Sequence, residues 1–367
     1  MENPELKSAA ARLGLDADGW TAKEPLHNKD LTAGIWELTR GDEHIVIKRL
    51  VRQRQPGGTA FTQHWAHRTQ EPARWNYWAR EMLAYKSELT SSFADAGLRA
   101  PRCLGVDIGN DDAVLAIEYV DGEPAERWGI STYADAARSL GAGQARFVGK
   151  THQHEWLSTD FIRTYSTEKP VRWELLDSDA AWDQRLVAEN FPDSLREAAA
   201  MLHAKREDLY ALVNACPRTL CHLDFWTKNL IRERNGGFVL LDWAFLGDGA
   251  VGEDIGNLVP DAAFDHFIEP DQLPTLRAAV LAAYLDGLRS AGWDGDAVRV
   301  EIAMAASAVK YDWLTVLMLE RASAEEHTRY GGVDTIAPSE LYRKRGAALL
   351  DNATQALRAL QLGNESN

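Results

Sequence analysis

The segment 219–231 carries the side chains whose types and spacing point most directly to chemistry. It reads TLCHLDFWTKNLI and holds His222, Asp224 and Asn229 in the pattern H-x-D-x-x-x-x-N, and Asp242 follows at the end of the apolar run FVLL. Phosphoryl transfer needs a carboxylate beside the attacking hydroxyl and oxygen ligands that hold Mg²⁺ on the ATP phosphates. The pattern therefore predicts Asp224 as the catalytic base and Asn229 and Asp242 as metal ligands. The plainer alternative is a capping Asp with turn residues between two strands, and the strand that ends in Asp242 argues against it.

The elements that must position these residues fall into two regions. Residues 34–50 and 103–120 each read as two apolar runs joined by a polar turn, which is typical of β-hairpins. A helix is predicted over 75–93 from the apolar spacing of Trp75, Trp78, Met82 and Tyr85. Beyond residue 131 the apolar stripes are mainly helical, with short strands at 219–223 and 237–243. The helical stripes cover residues 132–148, 193–214, 273–290, 297–320 and 340–361. The sequence thus predicts an α+β chain with a boundary near residue 120.

The segment 219–258 resembles the catalytic and metal-binding loops of the aminoglycoside phosphotransferase and choline kinase-like family of the protein-kinase-like superfamily. This resemblance implies a bilobal fold, with a small β-rich nucleotide-binding N-lobe (1–120) and a larger, mainly helical catalytic and substrate-binding C-lobe (121–367). It also implies ATP and Mg²⁺ as cofactors. Asp254 matches a family aspartate that braces the catalytic loop, and His222 is assigned to the same structural support. The alternative for Asp254 is an N-cap of the following helix.

Two features of the catalytic loop depart from the family pattern. Leu223 stands where small-molecule kinases usually carry a small residue such as Gly. The interior of the loop, residues 225–228, also differs, and it places Lys228 directly before Asn229. Lys228 would reach a transferring phosphate or lie in solvent, and we assign it here to the nucleotide site.

The resemblance extends to the first third of the chain. Lys48, at the end of IVIK, corresponds to the kinase lysine that binds ATP phosphates. Glu81 lies on the predicted helix 33 residues later, where it would pair with Lys48. The alternative is a local pair of Glu81 with Arg80 or Lys86.

Residues 116–122, AIEYVDG, resemble the hinge between kinase lobes. Backbone groups near Glu118 and Val120 would bind adenine, and Ile117 would flank the pocket. A Gly-rich G-x-G-x-x-G loop is absent, and residues 27–34 occupy its place. Residues 51–75 read as an insertion or loop.

Charge and composition limit the partners. The 367 residues carry a formal net charge of −15, which argues against nucleic acid and is compatible with a cationic substrate. We find neither a secretory signal nor an apolar run of membrane-spanning length, so no membrane partner is expected. Three scattered cysteines fit a reducing compartment, and we expect a cytoplasmic protein.

The sequence favours an ATP-dependent O-phosphotransferase that acts on a small-molecule hydroxyl, with an aminoglycoside-like or other cationic antibiotic as first acceptor and antibiotic resistance as the role. An amino alcohol, sugar or nucleoside as acceptor, a peptide or protein Ser/Thr, and a nucleotide-binding pseudokinase remain alternatives. A carboxylate-lined acceptor pocket would draw on six acidic residues: Asp248, Glu253, Asp261, Asp265, Glu269 and Asp312.

Overall fold

A computed structural model describes residues 3–16, 18–24, 33–52, 71–150, 154–324 and 336–365. Most of the predicted phosphate-loop position (27–32) and of the predicted insertion (53–70) lies outside these residues. The chain divides into two compact units. The first comprises residues 1–123, 153–158 and 229–246, and the second comprises residues 124–152, 159–228 and 247–367. The division into lobes at residue 120 stays a prediction.

The strands are, in chain order, β1 (Thr21–Lys23), β2 (Gly34–Arg40), β3 (Glu43–Val51), β4 (Leu98–Arg99), β5 (Cys103–Ile108), β6 (Asp112–Glu118), β7 (Arg218–Cys221), β8 (Leu230–Arg232), β9 (Phe238–Leu240) and β10 (Gly247–Ala250). The α-helices are α1 (Pro4–Arg12), α2 (Arg80–Lys86), α3 (Ile130–Gln144), α4 (Phe161–Thr167), α5 (Asp179–Trp182), α6 (Arg185–Ala188), α7 (Leu195–Ala204), α8 (Arg206–Asn214), α9 (Glu253–Phe264), α10 (Leu273–Ser290), α11 (Ala297–Ala306), α12 (Asp312–Arg321) and α13 (Pro338–Glu365).

The first unit is built on an antiparallel sheet with the strand order β1-β2-β3-β6-β5. Both predicted hairpins are present, and the first closes at the pair Arg40–Glu43. Alternate residues of the sheet, including Trp36 and Ile47, are buried in one cluster with the apolar side of α1. A period of two fits this one-sided burial, which is why the hairpins could be predicted.

The predicted helix over 75–93 is shorter in the structure. Only Arg80–Lys86 is α-helical, and Trp75 and Trp78 lie in the turns before it, although both are buried. The Arg80 guanidinium donates hydrogen bonds to the carbonyls of Trp75 (2.8 Å) and Pro72 (2.8 Å). A side chain therefore satisfies carbonyls that helical N–H groups would otherwise have to satisfy.

A second sheet of the first unit has the order β4-β9-β8, with β4 parallel and β8 antiparallel to β9. The three residues of β9 are at most 1% exposed. Because β9 is hydrogen-bonded to a neighbouring strand along each of its two edges, this short buried strand provides a rigid support for the residues that follow it.

The second unit is mainly helical. The predicted helix 193–214 is interrupted at Lys205 into α7 and α8, and 297–320 is interrupted by a 3₁₀ turn, Ser307–Tyr311. Helices α3 and α10 cross in close contact, where a Cβ added at Gly141 would fall on the carbonyl oxygen of Tyr284 and one at Gly287 on that of Arg138. Strands β7 and β10 form an antiparallel pair in this unit.

One stretch of the second unit is apolar over a greater length than the sequence analysis predicted for any part of the chain. Residues 297–321 are long and apolar enough to cross a membrane by length and composition, whereas the sequence analysis expected no such run. The whole of its most apolar window is buried inside the structure, as in the core helix of a soluble protein, and α11, the 3₁₀ turn and α12 divide it.

Candidate active site

Three charged residues meet in the first unit. The Lys48 Nζ lies 2.6 Å from Glu81 Oε2 and 3.1 Å from Asp242 Oδ1. Strand β3 positions Lys48, and α2 positions Glu81. Burial by itself would lower the pKa of Lys48, but the carboxylates of Asp242 and Glu81 outweigh burial, and the pKa lies above its ordinary value. Lys48 is therefore held as an ammonium ion.

The side chain of Arg80 takes no part in this group. In addition to Trp75 and Pro72, its guanidinium binds the carbonyls of Trp156 (2.7 Å), Ala244 (3.0 Å) and Arg74. The side chain is fully buried, and burial lowers its pKa to about 9. Arg80 thus joins the segment before α2 to the turn after Asp242, a role that the sequence analysis missed.

Asn229 directly precedes β8, and Asp242 lies two residues after the end of β9, the neighbouring strand of the small sheet. The Leu241 N–H donates to the Asn229 carbonyl at 2.8 Å, next to the pair Leu230–Leu240 in the register. Asp242 has a positive φ of 56°, and its side chain is 41% exposed. An amide oxygen and a carboxylate oxygen suit Mg²⁺, which takes few protein ligands and completes its shell with phosphates and water. These residues therefore fit the predicted metal.

The residues of the predicted hinge lie at the end of β6. Ile117 and Val120 are partly exposed. The Glu118 N–H donates to the Arg102 carbonyl at 3.0 Å, and its carboxylate accepts from the Arg102 N–H at 3.0 Å and from Arg99. The Glu118 side chain thus fastens the β5–β6 edge, and adenine recognition by the backbone here stays a prediction.

In the second unit, Asp254 is the centre of the catalytic loop's support. Its carboxylate accepts hydrogen bonds from the backbone N–H of His222 (2.9 Å) and Leu223 (2.7 Å) and from Gln144 Nε2 (2.8 Å). The residue is fully buried, and burial raises the pKa of its carboxyl to about 6, while these hydrogen bonds and Lys310 oppose the rise. The carboxylate thus binds two consecutive N–H groups of the loop before Asp224, and Gln144 was not found from the sequence.

The loop residue Asp224 follows Leu223 and is partly exposed. Lys169 is a buried residue of the same unit, and burial and the charge of Lys310 hold its pKa well below the ordinary value. The charge of Asp224 opposes this lowering. Lys228 is exposed, with its Nζ 5.7 Å from the centroid of the Phe267 ring. Its contact with a phosphate stays a prediction.

The acidic residues considered for an acceptor pocket are engaged in internal contacts. Asp248 pairs with Arg218 at 3.0 Å and Glu269 with Lys344 at 2.6 Å. Four others are buried and have partners within the fold: Glu253 with the Ala250 N–H, Asp261 with the Tyr311 hydroxyl, Asp312 beside His203, and Asp265. All six carboxylates therefore have partners within the fold, and their part in an acceptor pocket stays a prediction.

No group of three or more His, Cys, Asp or Glu side chains is arranged to hold a metal ion within the part of the chain that the structure describes. In the first unit, the candidate machinery consists of the group formed by Lys48, Glu81 and Asp242, with Asn229 beside β8. In the second unit, it consists of the loop that carries Asp224.

Comparison with known proteins gives this arrangement a class. Solved kinase-like structures share the fold: an aminoglycoside phosphotransferase from Alicyclobacillus acidocaldarius superposes with a TM-score of 0.53 at 16% identity, over 98% of this chain and 95% of that one. Amicoumacin kinase hAmiN, solved with AMP-PNP, Ca²⁺ and Ami, gives 0.52 at 10% identity, over 100% and 94%. The predicted α+β, protein-kinase-like fold is confirmed.

The phosphotransferase enzyme family, APH, matches residues 54–297, more than half of the chain, and the chain belongs to this family. The resemblance noted from residues 219–258 is thereby confirmed. Membership of this family makes the protein a phosphotransferase. No curated protein is similar enough to the chain to count as a match.

Proposed function

We propose that this protein transfers the γ-phosphate of Mg-ATP to a hydroxyl of a small molecule, with Asp224 as the base. The observation that carries the proposal is the group in which the buried Lys48 Nζ lies 2.6 Å from Glu81 and 3.1 Å from Asp242. A lysine held as an ammonium ion between a helix glutamate and a metal-ligand aspartate is the arrangement that phosphate binding in kinases requires.

In the first unit, each side chain would contribute one part of nucleotide binding. The Lys48 ammonium would bind phosphate oxygens, and Glu81 would fix its direction. Asn229 and Asp242 would hold Mg²⁺, which when bound neutralises charge on the phosphates. Backbone groups near Glu118 and Val120, beside Ile117, would bind adenine.

In the second unit, Asp224 would orient the acceptor hydroxyl and take its proton. The adjacent backbone is suited to this role because Asp254 accepts from two consecutive N–H groups, those of His222 and Leu223. A base fixed in this way loses little orientational freedom when the acceptor binds, which supports catalysis by positioning.

For the acceptor, we propose an aminoglycoside-like or other cationic antibiotic, so that the biological role would be antibiotic resistance, and we place the enzyme in the cytoplasm. The net charge of −15 supports a cationic acceptor through the field of the whole protein. The names of the two solved structures point to antibiotics as first compounds to test. Amino alcohols, sugars and Ser/Thr peptides are the competing acceptors.

The test is ADP release from Mg-ATP across aminoglycosides, other cationic antibiotics, amino alcohols, sugars and Ser/Thr peptides. Asp224→Ala should abolish the stimulated turnover, and Asp193→Ala, which removes an exposed carboxylate of the same unit, should not. Stimulation confined to cationic antibiotics would support the acceptor class, and stimulation by another class alone would reject it. Turnover that survives in Asp224→Ala would remove the base. Nucleotide binding without turnover on any of these acceptors would favour the nucleotide-binding pseudokinase, and an absence of both would reject the proposed nucleotide site.

A further inference from the structure

Leu223, the residue before Asp224, has an unusual backbone conformation. Its φ is 66°, and its side chain is fully buried. Left-handed backbone is unfavourable for residues that have a Cβ, and it persists only where the surroundings hold it. Among the described non-glycine residues with positive φ, the others are Glu88, Asp160, Asp242 and His266. Leu223 is thus the only aliphatic residue of this set within the described part of the chain.

Both polar groups of Leu223 are held by buried side chains. Its N–H donates to Asp254 Oδ1 at 2.7 Å. Its carbonyl accepts from Asn257 Nδ2 at 2.9 Å and from Lys310 Nζ at 3.3 Å. Asp254 and Asn257 lie on α9, one turn apart, whereas Lys310 comes from the 3₁₀ turn between α11 and α12. The residue is therefore fixed from two different elements.

Lys310 is an unexpected residue at this place. It is 2% exposed, and its Nζ lies 5.0–5.4 Å from the ring centroids of Phe161, Tyr165 and Tyr311. An apolar side chain would fill such a site without the cost of burying an ammonium ion. The aromatic faces offset part of that cost, and the Leu223 carbonyl supplies a direct acceptor. The lysine is best explained by what its ammonium holds.

We propose that Lys310, together with Asn257, holds the Leu223 carbonyl so that this residue keeps its left-handed conformation and aims Asp224 at the acceptor. Lys310 is a positioning residue, since it acts through Leu223 and not on the substrate. The inference rests on the proposed function because it takes Asp224 as the base. It also explains how a leucine is accommodated where related kinases usually carry a small residue.

The first arm of the test is Lys310→Met, which keeps the length of the side chain and removes the donor. We expect kcat for ADP release from Mg-ATP to fall about tenfold or more, as for loss of a hydrogen bond from a charged group. The KM for ATP should stay within twofold, because the proposed nucleotide residues Lys48 and Glu81 belong to the other unit. Lys205→Met, the loss of a half-exposed lysine, is the control for charge.

The second arm separates backbone strain from packing by comparing Leu223→Gly with Leu223→Ala. Both remove the buried side chain, but only glycine adopts positive φ freely. With Lys310 present, the two variants should have similar kcat because the donors hold the backbone. In the Lys310→Met background, the glycine variant should exceed the alanine variant about fivefold or more, in line with the cost of left-handed backbone. If the ratio of kcat for Leu223→Gly to kcat for Leu223→Ala is the same with and without Lys310, the proposal is overturned.

A third arm needs no turnover. The difference in thermal unfolding midpoint between the glycine and alanine variants should be smaller in Lys310→Met than with Lys310 present, because only a held backbone makes alanine bear the full cost of the left-handed conformation. If that coupling is seen but Asp224→Ala retains full turnover, the proposed base fails while the backbone role stands. If the coupling is absent, the role of Lys310 is rejected whatever the activity. Asn257→Ala repeats the series without removing a charge, in case Lys310→Met does not fold, and the same pattern is expected.

Discussion

The Nζ of Lys48 lies 2.6 Å from Glu81 Oε2, and only 3% of the Glu81 side chain is exposed. The pair joins the central strand β3 to helix α2, two elements separated in the sequence by the residues of the predicted insertion. A buried carboxylate of this kind depends on its cation, since neither water nor salt reaches it to compensate for a loss.

Lys48→Met is expected to reduce stability as well as activity. Without the ammonium, Glu81 is left as a buried carboxylate, and the free energy of unfolding should fall by about 3–5 kcal/mol, measured by urea denaturation. Glu81→Gln removes the charge and keeps an acceptor, so it should cost less stability while still weakening ATP binding. Lys86→Met, on the exposed end of the same helix, is the control. Equal losses in Lys48→Met and Lys86→Met would contradict the structural part of the argument.

Asp242→Asn tests the metal assignment. The substitution replaces a carboxylate ligand with a weaker amide, so the Mg²⁺ concentration that gives half-maximal rate should rise at least tenfold and kcat should fall about a hundredfold. The measurement is ADP release over a Mg²⁺ titration. Asp248→Asn, which removes a similarly exposed carboxylate paired with Arg218, should leave the Mg²⁺ dependence as it is. An unchanged metal requirement in Asp242→Asn would reject this ligand.

Arg80→Met is expected to be among the most destabilising changes in the first unit. The guanidinium holds five backbone carbonyls, those of residues 72, 74, 75, 156 and 244, and its loss leaves them without this donor. We expect a loss of about 3–5 kcal/mol in the free energy of unfolding. Arg74→Met, at a 38% exposed side chain, should cost less than about 1 kcal/mol. Similar losses for the two would mean that the carbonyls find other partners.

The activity should decline with acid near the pKa of Asp254. Its carboxylate must be ionised to accept from both the His222 and Leu223 N–H groups, and its pKa is raised to about 6 because it is buried. The charged and titratable groups that act with it are Lys310, Glu253, Cys221 and Tyr284. We therefore expect kcat to fall below about pH 6, measured as ADP release at saturating Mg-ATP. In Asp254→Asn this limb should be absent and kcat low at every pH.

The stability should follow pH in the opposite direction. Glu253, Asp254 and Asp261 have pKa values raised by burial to about 7, 6 and 7, above their ordinary values of 4.5, 3.8 and 3.8. Each therefore contributes stability that is complete below its ordinary pKa and is lost as the pH rises through the raised value. The contribution of these three groups to the free energy of unfolding should therefore decrease as the pH rises from about 4 to about 7. If the free energy of unfolding of the wild type rises with pH relative to that of Asp261→Asn, the burial of the Asp261 carboxyl is contradicted.

The parts of the site that could be predicted from sequence are those with local patterns. The strand that carries Lys48 follows from its apolar pattern, whereas the resemblance to kinases points to the lysine itself. The spacing of Asp224 and Asn229 fixes one loop. Asp242 follows because a continuous apolar run marks the buried strand before it. In each case a few neighbouring residues contain the whole signal.

The residues that could not be predicted are linked over long separations in the sequence. Lys310 binds a carbonyl 87 residues away, and Gln144 binds a carboxylate 110 residues away. Trp75 and Trp78 have helical spacing, but Arg80 satisfies the carbonyls around them, so turns compete with helix there. Every residue, whatever its type, offers a backbone carbonyl as acceptor, and so a hydrogen bond to a carbonyl leaves no pattern in the sequence.

The crossing of α3 and α10 determines how much variation the chain can tolerate far from its chemistry. Gly141 lies one turn before Gln144, and Gly287 one turn after Tyr284, whose hydroxyl donates to Gln144 Oε1 at 2.5 Å. A methyl group at either glycine would separate the helices and draw Gln144 away from Asp254. Two positions without a reactive atom therefore help to hold the catalytic loop, and a substitution at either of them should be poorly tolerated.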